Sequence, residues 1–291
     1  MSSSVWFTTS GGARIAVRDW APPAKAPLRG MVVLVHGLGE HSGRYESLAQ
    51  RLISWGFAVR GYDHYGHGQS DGPRGGLDHD DRLLDDLAHV LNDTITRTAG
   101  DVPLILLGHS LGGLVAAHAV ARERVKVDAL VLSSPALDPG LSSFQKALVA
   151  TLPRIVPNLR VDNGLALPYL SHDAGVVQAY REDPLCHRKV AARLARFIAD
   201  AGAQTLQKAA RWSVPTLLLW AGADRLVAPA GSRGFAAAAP KEVVRSREFE
   251  ALYHELFNES PELAQPVFDA LRYWLGVRYP QDVSAPMPVV A

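Results

Sequence analysis

Short apolar runs alternate along this chain with longer stretches of helical periodicity. Met31–Val35, Ala58–Tyr62, Leu104–Leu107, Ala129–Leu132 and Thr216–Trp220 are strand-sized and, apart from Arg60 and Thr216, without strongly polar residues, the pattern of strands covered on both faces. Arg14–Trp20 alternates like an edge strand, and Val243–Phe249 is a weaker strand. Helices are predicted at Gly43–Trp55, Asp80–Thr98, Leu111–Arg122, Gly231–Ala239 and Pro261–Leu275. The alternation predicts an α/β fold, with a mostly parallel central sheet flanked by helices. Functional groups of such sheets gather on loops beyond the carboxyl ends of the strands.

One interval breaks the rhythm. From Leu137 to Trp212 there is no good strand, only helical pieces interrupted by Pro153, Pro157, Pro168 and Pro184. The expected organisation is therefore a core of residues 1–136 and 213–278, a helical cap inserted at 137–212, and a disordered tail at 279–291.

Composition narrows the function classes. The net charge is +1, which gives no broad basic surface for nucleic acid. A single cysteine, Cys186, excludes an intrachain disulfide and a cysteine-built metal site, and fits a cytoplasmic enzyme. Met1–Gly30 has no apolar signal-peptide core, and every apolar run falls far short of the roughly 20 residues of a membrane span. Nothing in the pattern speaks to oligomeric state.

The chemistry concentrates in a few segments. Gly108-His109-Ser110-Leu111-Gly112 matches the G-x-S-x-G nucleophile elbow of α/β-hydrolases, with an apolar strand before it and a helix after it. Ser110 on such a sharp turn forces the residues two before and two after into contact, hence the glycines. Ser143-Phe144-Gln145-Lys146 is an S-x-x-K match, but its partner motifs are missing from the sequence. A serine hydroxyl needs a base. His254, just past the last strand, is expected to serve; His118, His172 and His187 fall on a helix or in the cap. Asp224, in the loop after Thr216–Trp220, is expected to orient the imidazole, with Asp138 as the alternative. Backbone amides of Leu38 and Leu111 are expected to form the oxyanion hole. Asp63, His64 and His67 look like metal ligands, yet their glycine-rich setting suggests a turn, and neither metal nor organic cofactor is expected.

These pieces resemble the monoacylglycerol lipase and lysophospholipase group of α/β-hydrolases. The resemblance rests on His36-Gly37-Leu38-Gly39-Glu40-His41-Ser42-Gly43-Arg44-Tyr45, Tyr62–Ser70, Gly108–Gly113, Asp224–Val227 and Tyr253-His254-Glu255, and spans about Gly11 to Leu275. It implies a lid over an apolar acyl tunnel and a polar pocket for the alcohol. By position, Glu40, Arg44 and Tyr180 become candidates for that pocket; a structural ion pair is the alternative for Glu40 and Arg44. His109 is expected to pack or hydrogen-bond. One departure matters: where mammalian members carry a second histidine three residues after the catalytic one, this chain has Phe257.

The implied activity is hydrolysis of a small amphiphilic carboxylic ester, monoacylglycerol first. Other esters (lysophospholipid, aryl or phthalate-type) and a non-catalytic binding role are the alternatives. The apolar stripe Phe144, Leu148, Val149, Leu152, Ile155 and Val156, flanked by Lys146, Arg154 and Arg160, is either cap packing or an acyl-tunnel wall that touches lipid transiently.

Overall fold

The structure, a computed structural model, describes residues 3–22, 28–98 and 101–280; the side chains of Ser143, Phe144 and Lys146 lie outside that description. Its centre is an eight-stranded sheet in the order β1-β2-β4-β3-β5-β6-β9-β10. The strands are β1 (Ser3–Ser10), β2 (Ala13–Trp20), β3 (Gly30–Val35), β4 (Phe57–Tyr62), β5 (Leu104–His109), β6 (Ala129–Ser133), β9 (Thr216–Ala221) and β10 (Val244–Phe249). β1 pairs antiparallel with β2, and β2 with β4; the remaining neighbours are parallel.

The side chains of each central strand divide between two cores, as period two requires. Val32 and Leu34, Ile105 and Leu107, and Leu217 and Leu219 face α1 (Glu46–Ser54) and α8 (Pro261–Arg278). Val33 and Val35, Leu104 and Leu106, and Leu218 and Trp220 face the opposite layer of α2 (Arg82–Arg97), α3 (Leu111–Ala121), α6 (Ala192–Lys208) and α7 (Pro229–Ala238). Burial on both faces is why these strands read as unbroken apolar runs.

The topology locates the site. From β3 the chain crosses through α1 to β4 on one side; from β5 it crosses through α3 to β6 on the other. β3 and β5 are adjacent and parallel, so their carboxyl ends diverge at a switch point where doubly wound sheets bind ligands. The loops there are Gly37–Glu40 and the turn at Ser110.

Between β6 and β9 lie α4 (Ser143–Ile155), β7 (Arg160–Asp162), α5 (Ala174–Glu182) and β8 (Lys189–Ala191), followed by α6. Four expectations need correction. β1 has no counterpart in the apolar pattern, because most of its side chains are exposed or half-buried. Consequently Arg14–Trp20 is not an edge strand: β2 is paired on both sides. The inserted segment contains a strand pair, β7 with β8, only three residues each and too short to show a period. Finally, α6 fell within the expected cap limits, yet Leu194 and Ala201 join the core against α3 and α7, and a Cβ on Gly202 would meet Leu137 O at 2.5 Å. Of the expected tail, Tyr279 is anchored: Arg29 Nε donates to its carbonyl at 2.8 Å and its ring meets Phe57 edge-on. Residues 281–291 lie outside the described residues.

A close approach holds α3 to the sheet. A Cβ on Gly112 would sit 2.1 Å from Val35 O, a backbone atom that cannot swing aside. Gly112→Ala should therefore abolish recovery of folded protein or sharply lower its urea midpoint. Gly234→Ala, on the exposed face of α7 with open space around it, should instead leave or raise stability, by about 0.5–1 kcal/mol. Equal midpoints for the two variants would refute this account of the glycine.

Candidate active site

Ser110 sits between β5 and α3 with φ 53° and ψ −119°, a conformation that L-residues rarely adopt. Its N–H donates to Ser133 O at 3.0 Å, and its carbonyl accepts from Leu114 and Ala136 at 3.0 Å each. A Cβ on Gly108 would meet Gly112 O at 2.4 Å, the contact for which the elbow needs glycine. Leu111 is the first residue of α3, so its amide has no intrahelical acceptor and stands at the positive end of the helix.

The expected base and acid come from the loops after β10 and β9. His254 Nδ1 lies 2.6 Å from Asp224 Oδ2. The other carboxylate oxygen, Oδ1, accepts the amides of Leu226 at 2.8 Å and Val227 at 3.1 Å, so the acid is fixed by its own turn. Asp138 accepts the Gly140 amide in a turn of its own; the imidazole is paired with Asp224. Burial penalises the His254 imidazolium, but the Asp224 carboxylate and then Glu255 and Glu40 outweigh it, so its pKa is raised. Asp224 is likewise held below the usual carboxylate range in spite of burial, by His254 and the two amides. His109, whose ring lies 4.7 Å from that of His254, is pushed down to about 4 by burial and by His254, and its Nδ1 meets Ser133 Oγ at 3.2 Å. Among the described residues no hydrogen bond joins Ser110 Oγ to His254; such bonds commonly tighten only around substrate.

The loop after β3 faces this group. A Cβ on Gly37 would lie 3.2 Å from Ser110 Cβ. The Gly37 N–H donates to Glu40 Oε1 at 2.5 Å, which leaves Leu38 as the next amide; among the described residues it has no acceptor. Gly39, with φ 78°, passes so close to the inserted segment that a Cβ would fall 2.3 Å from His187 O. Its carbonyl accepts from His187 N–H at 2.8 Å and Tyr180 OH at 3.0 Å.

Glu40, Arg44 and Tyr180, the candidates for an alcohol pocket, and Phe257 are occupied with one another and with the core. Glu40 Oε1 also accepts from Tyr45 OH at 2.7 Å, and Oε2 accepts from Arg44 at 2.6 Å. Arg44 forks onto both oxygens of Glu255, at 2.6 and 2.9 Å, and its guanidinium lies 4.9 Å from the Tyr180 ring. Phe257 packs against Phe268 in the α8-side core. Glu255 was not singled out in the sequence, although it directly follows His254; its burial and its partner are set only by the fold.

The histidine-rich segment is a backbone clamp. His36 Nε2 accepts the His64 amide at 2.9 Å, and Asp63 Oδ1 accepts Ser42 N–H and Oγ–H. Burial drives His36 to about 4 and lowers His64 and His67. Among the described residues, only His41, Asp183 and Cys186 have ligand atoms close enough to share a metal, within 4.8 Å of one another. His41 Nδ1 already accepts the Gly43 amide, so Nε2 carries the proton that reaches Asp183 at 2.8 Å. A metal on Nε2 would move that proton onto Nδ1, against the Gly43 N–H.

The family model described as serine aminopeptidase, S33 matches residues 26–261. The monoacylglycerol lipase of Mycolicibacterium smegmatis is 36% identical over 275 residues, covering 92% of this chain and 95% of that one. The human monoglyceride lipase is 32% identical over 277 residues, covering 94% and 90%. Among solved structures, Paleococcus ferrophilus monoacylglycerol lipase superposes with a TM-score of 0.79 at 35% identity, covering 90% of this chain and 98% of that one. With its eight-stranded sheet, its inserted cap and the match over most of its length, the chain belongs to the serine aminopeptidase S33 family of α/β-hydrolases.

Proposed function

We propose that the chain hydrolyses carboxylic esters of small amphiphiles, monoacylglycerols first, through an acyl-enzyme on Ser110. The observation that carries this is the buried 2.6 Å contact between His254 and Asp224, with the imidazole 4.7 Å from the ring of His109, the residue before a strained Ser110. Ser110 Oγ attacks the ester carbonyl while His254 Nε2 takes its proton. The Leu38 and Leu111 amides receive the oxyanion. His254 returns the proton to the departing alcohol, then draws one from the water that cleaves the acyl-enzyme. Asp224 keeps Nδ1 protonated and stabilises the imidazolium.

The lipid preference rests on the relatives and on the cap, which we place at residues 137–191, ending before α6. Its outer surface exposes Ile155 at 79%, with Leu148, Val156, Leu159 and Val161 also open and Arg154 and Arg160 beside them. Such a patch suits transient contact with a lipid aggregate. No helix among the described residues is long and apolar enough to cross a membrane, and the single cysteine fits a cytoplasmic setting. A second reading, an esterase for simpler or aryl alcohols, draws on Phe257 and on Glu40 and Arg44 being turned inward.

The deciding experiment measures fatty acid release from C8–C18 1-monoacylglycerols beside a short p-nitrophenyl ester, with Ser110→Ala as the blank. Preference for the monoacylglycerols supports the lipase reading. Turnover of the simple ester alone rejects glycerol recognition, and a wild-type protein inert to both rejects the enzyme. Asp224→Asn should lower kcat by about 10⁴, as in other Ser-His-Asp triads, while Asp138→Asn should stay near wild type; the reverse order would move the acid to Asp138.

The raised His254 pKa has two opposite consequences. Its charged pair with Asp224 adds stability below the unfolded histidine value and loses it as pH rises through the folded value. Catalysis needs the neutral ring, so the acid limb of kcat/KM should have its midpoint above 6.5, the ordinary histidine value. A limb below that in wild type would contradict the assignment of His254 as base.

A further inference from the structure

The expected reacting groups stand on separate loops after β3, β5, β9 and β10, and nothing covalent holds those loops in register. One buried side chain touches two of these loops and the cap. Arg44, whose side chain is 9% exposed, donates from one nitrogen to both Glu40 Oε2 and Glu255 Oε1, and from the other to Glu255 Oε2. Glu255 follows His254, and its own amide donates to Leu170 O of the cap at 2.8 Å. The guanidinium also lies against the Tyr180 ring of α5.

These contacts close a ring around Leu38. On its N-terminal side the Gly37 N–H is held by Glu40 Oε1, and Glu40 by Arg44. On its C-terminal side the Gly39 carbonyl is held by Tyr180 OH, and Tyr180 lies on Arg44. The peptide between Gly37 and Leu38 is itself met by His36 Nδ1, 2.8 Å from Gly37 O, and the peptides on either side of it are held by Glu40 and Tyr180. We propose that Arg44 is a positioning residue: it ties closure of the cap, through Tyr180, to the orientation of the Leu38 oxyanion donor and, through Glu255, to the His254 loop. The inference rests on the ester-hydrolase reading of the site.

Charge alone would not do this. Lysine at position 44 keeps the cation between the two carboxylates, but a single ammonium cannot reproduce the planar fork onto Glu255 while also holding Glu40. An oxyanion donor displaced by an ångström costs turnover before it costs binding.

The test compares Arg44→Lys, Tyr180→Phe and the double variant, all in the full chain, with kcat and KM measured on both p-nitrophenyl butyrate and a 1-monoacylglycerol and with thermal melts alongside. Arg44→Lys should lower kcat on both esters by about 10- to 100-fold, the range for a catalytic group misplaced by about 1 Å, with KM nearly unchanged and a wild-type melt. Tyr180→Phe should give a smaller loss of kcat, and the double variant should be no worse than Arg44→Lys, because both act through the same Gly37–Glu40 loop. Unchanged kcat in folded Arg44→Lys overturns the proposal. So does independent multiplication of the two effects, or a loss confined to KM for the monoacylglycerol, which would make Arg44 a contact for the glycerol head. Should Arg44→Lys fail to fold, Tyr180→Phe decides: kcat equal to wild type overturns it. A wild-type protein that cleaves neither ester refutes the ester-hydrolase reading instead, and is told apart by the unmutated control.

Discussion

A serine held at φ 53° between a strand and a helix is the constraint on which the rest of this structure depends. Holding a non-glycine residue there costs about 1–3 kcal/mol, and the conformation persists only because its surroundings leave no alternative. Three hydrogen bonds at 3.0 Å clamp the Ser110 peptide groups to β6, to the loop after it and to α3. Gly108 and Gly112 allow strand and helix to meet below the turn, and Gly112 lets α3 rest on the carboxyl end of β3. That last contact goes with the approach of the Gly37–Glu40 loop to Ser110, where a Cβ on Gly37 would lie 3.2 Å from Ser110 Cβ. The same helix is apolar around its circumference because it lies between the sheet and α6. The elbow thus explains features far from itself: small residues along α3, α6 belonging to the core, and the site's position at the β3/β5 switch point.

Around the elbow, the chain buries charge that would be costly alone. Asp224 with His254, and Arg44 with Glu40 and Glu255, are nearly inaccessible to water. Unpaired, each of these ions would face a desolvation penalty of several kcal/mol. In both groups pairing and hydrogen bonding win: the Glu40 and Asp224 carboxyls stay below their ordinary range and His254 rises above its own. The two carboxylates of the Arg44 cluster, Glu255 and Glu40, add to Asp224 in favouring the charged form of His254. His109 stands on the opposite side of this balance. With a pKa of about 4 it stays neutral beside the base and does not repel it.

What could be read from the residues was whatever is local or repeats with a short period. The buried parallel strands were legible because they are apolar on both faces, and the elbow because a steric requirement places glycines at fixed offsets. The Asp224–His254 pair followed from chain order and from their positions after strands. Long-range partners were not legible. β1 is edge-exposed and polar, so its place in the sheet depends on pairing with β2. The strands of β7 and β8 are too short to carry a period. α6 reads as one more helix of the insertion, and only the packing of Leu194 and Ala201 assigns it to the core. Glu40 and Arg44 could equally have faced a ligand or each other; their partner Glu255 lies 211 positions away from Arg44 along the chain, and no local pattern encodes that meeting.

This arrangement bears on how selectivity could arise. A hydrolase that recognises a polyol by hydrogen bonds needs buried polar groups whose capacity is free when the site is empty of ligand, since an unmatched group is what rejects the wrong substrate. Glu40 and Arg44 already use part of theirs on Gly37, Tyr45 and Glu255, Tyr180 donates to Gly39, and Phe257 has none to offer. On the reading proposed above these side chains serve first to hold geometry, which leaves apolar contact as the main source of discrimination. Methylene-by-methylene discrimination in an apolar site is worth only about 1–3 kcal/mol. An enzyme built in this way should be tolerant in the alcohol it releases and graded, not absolute, in the acyl chains it accepts.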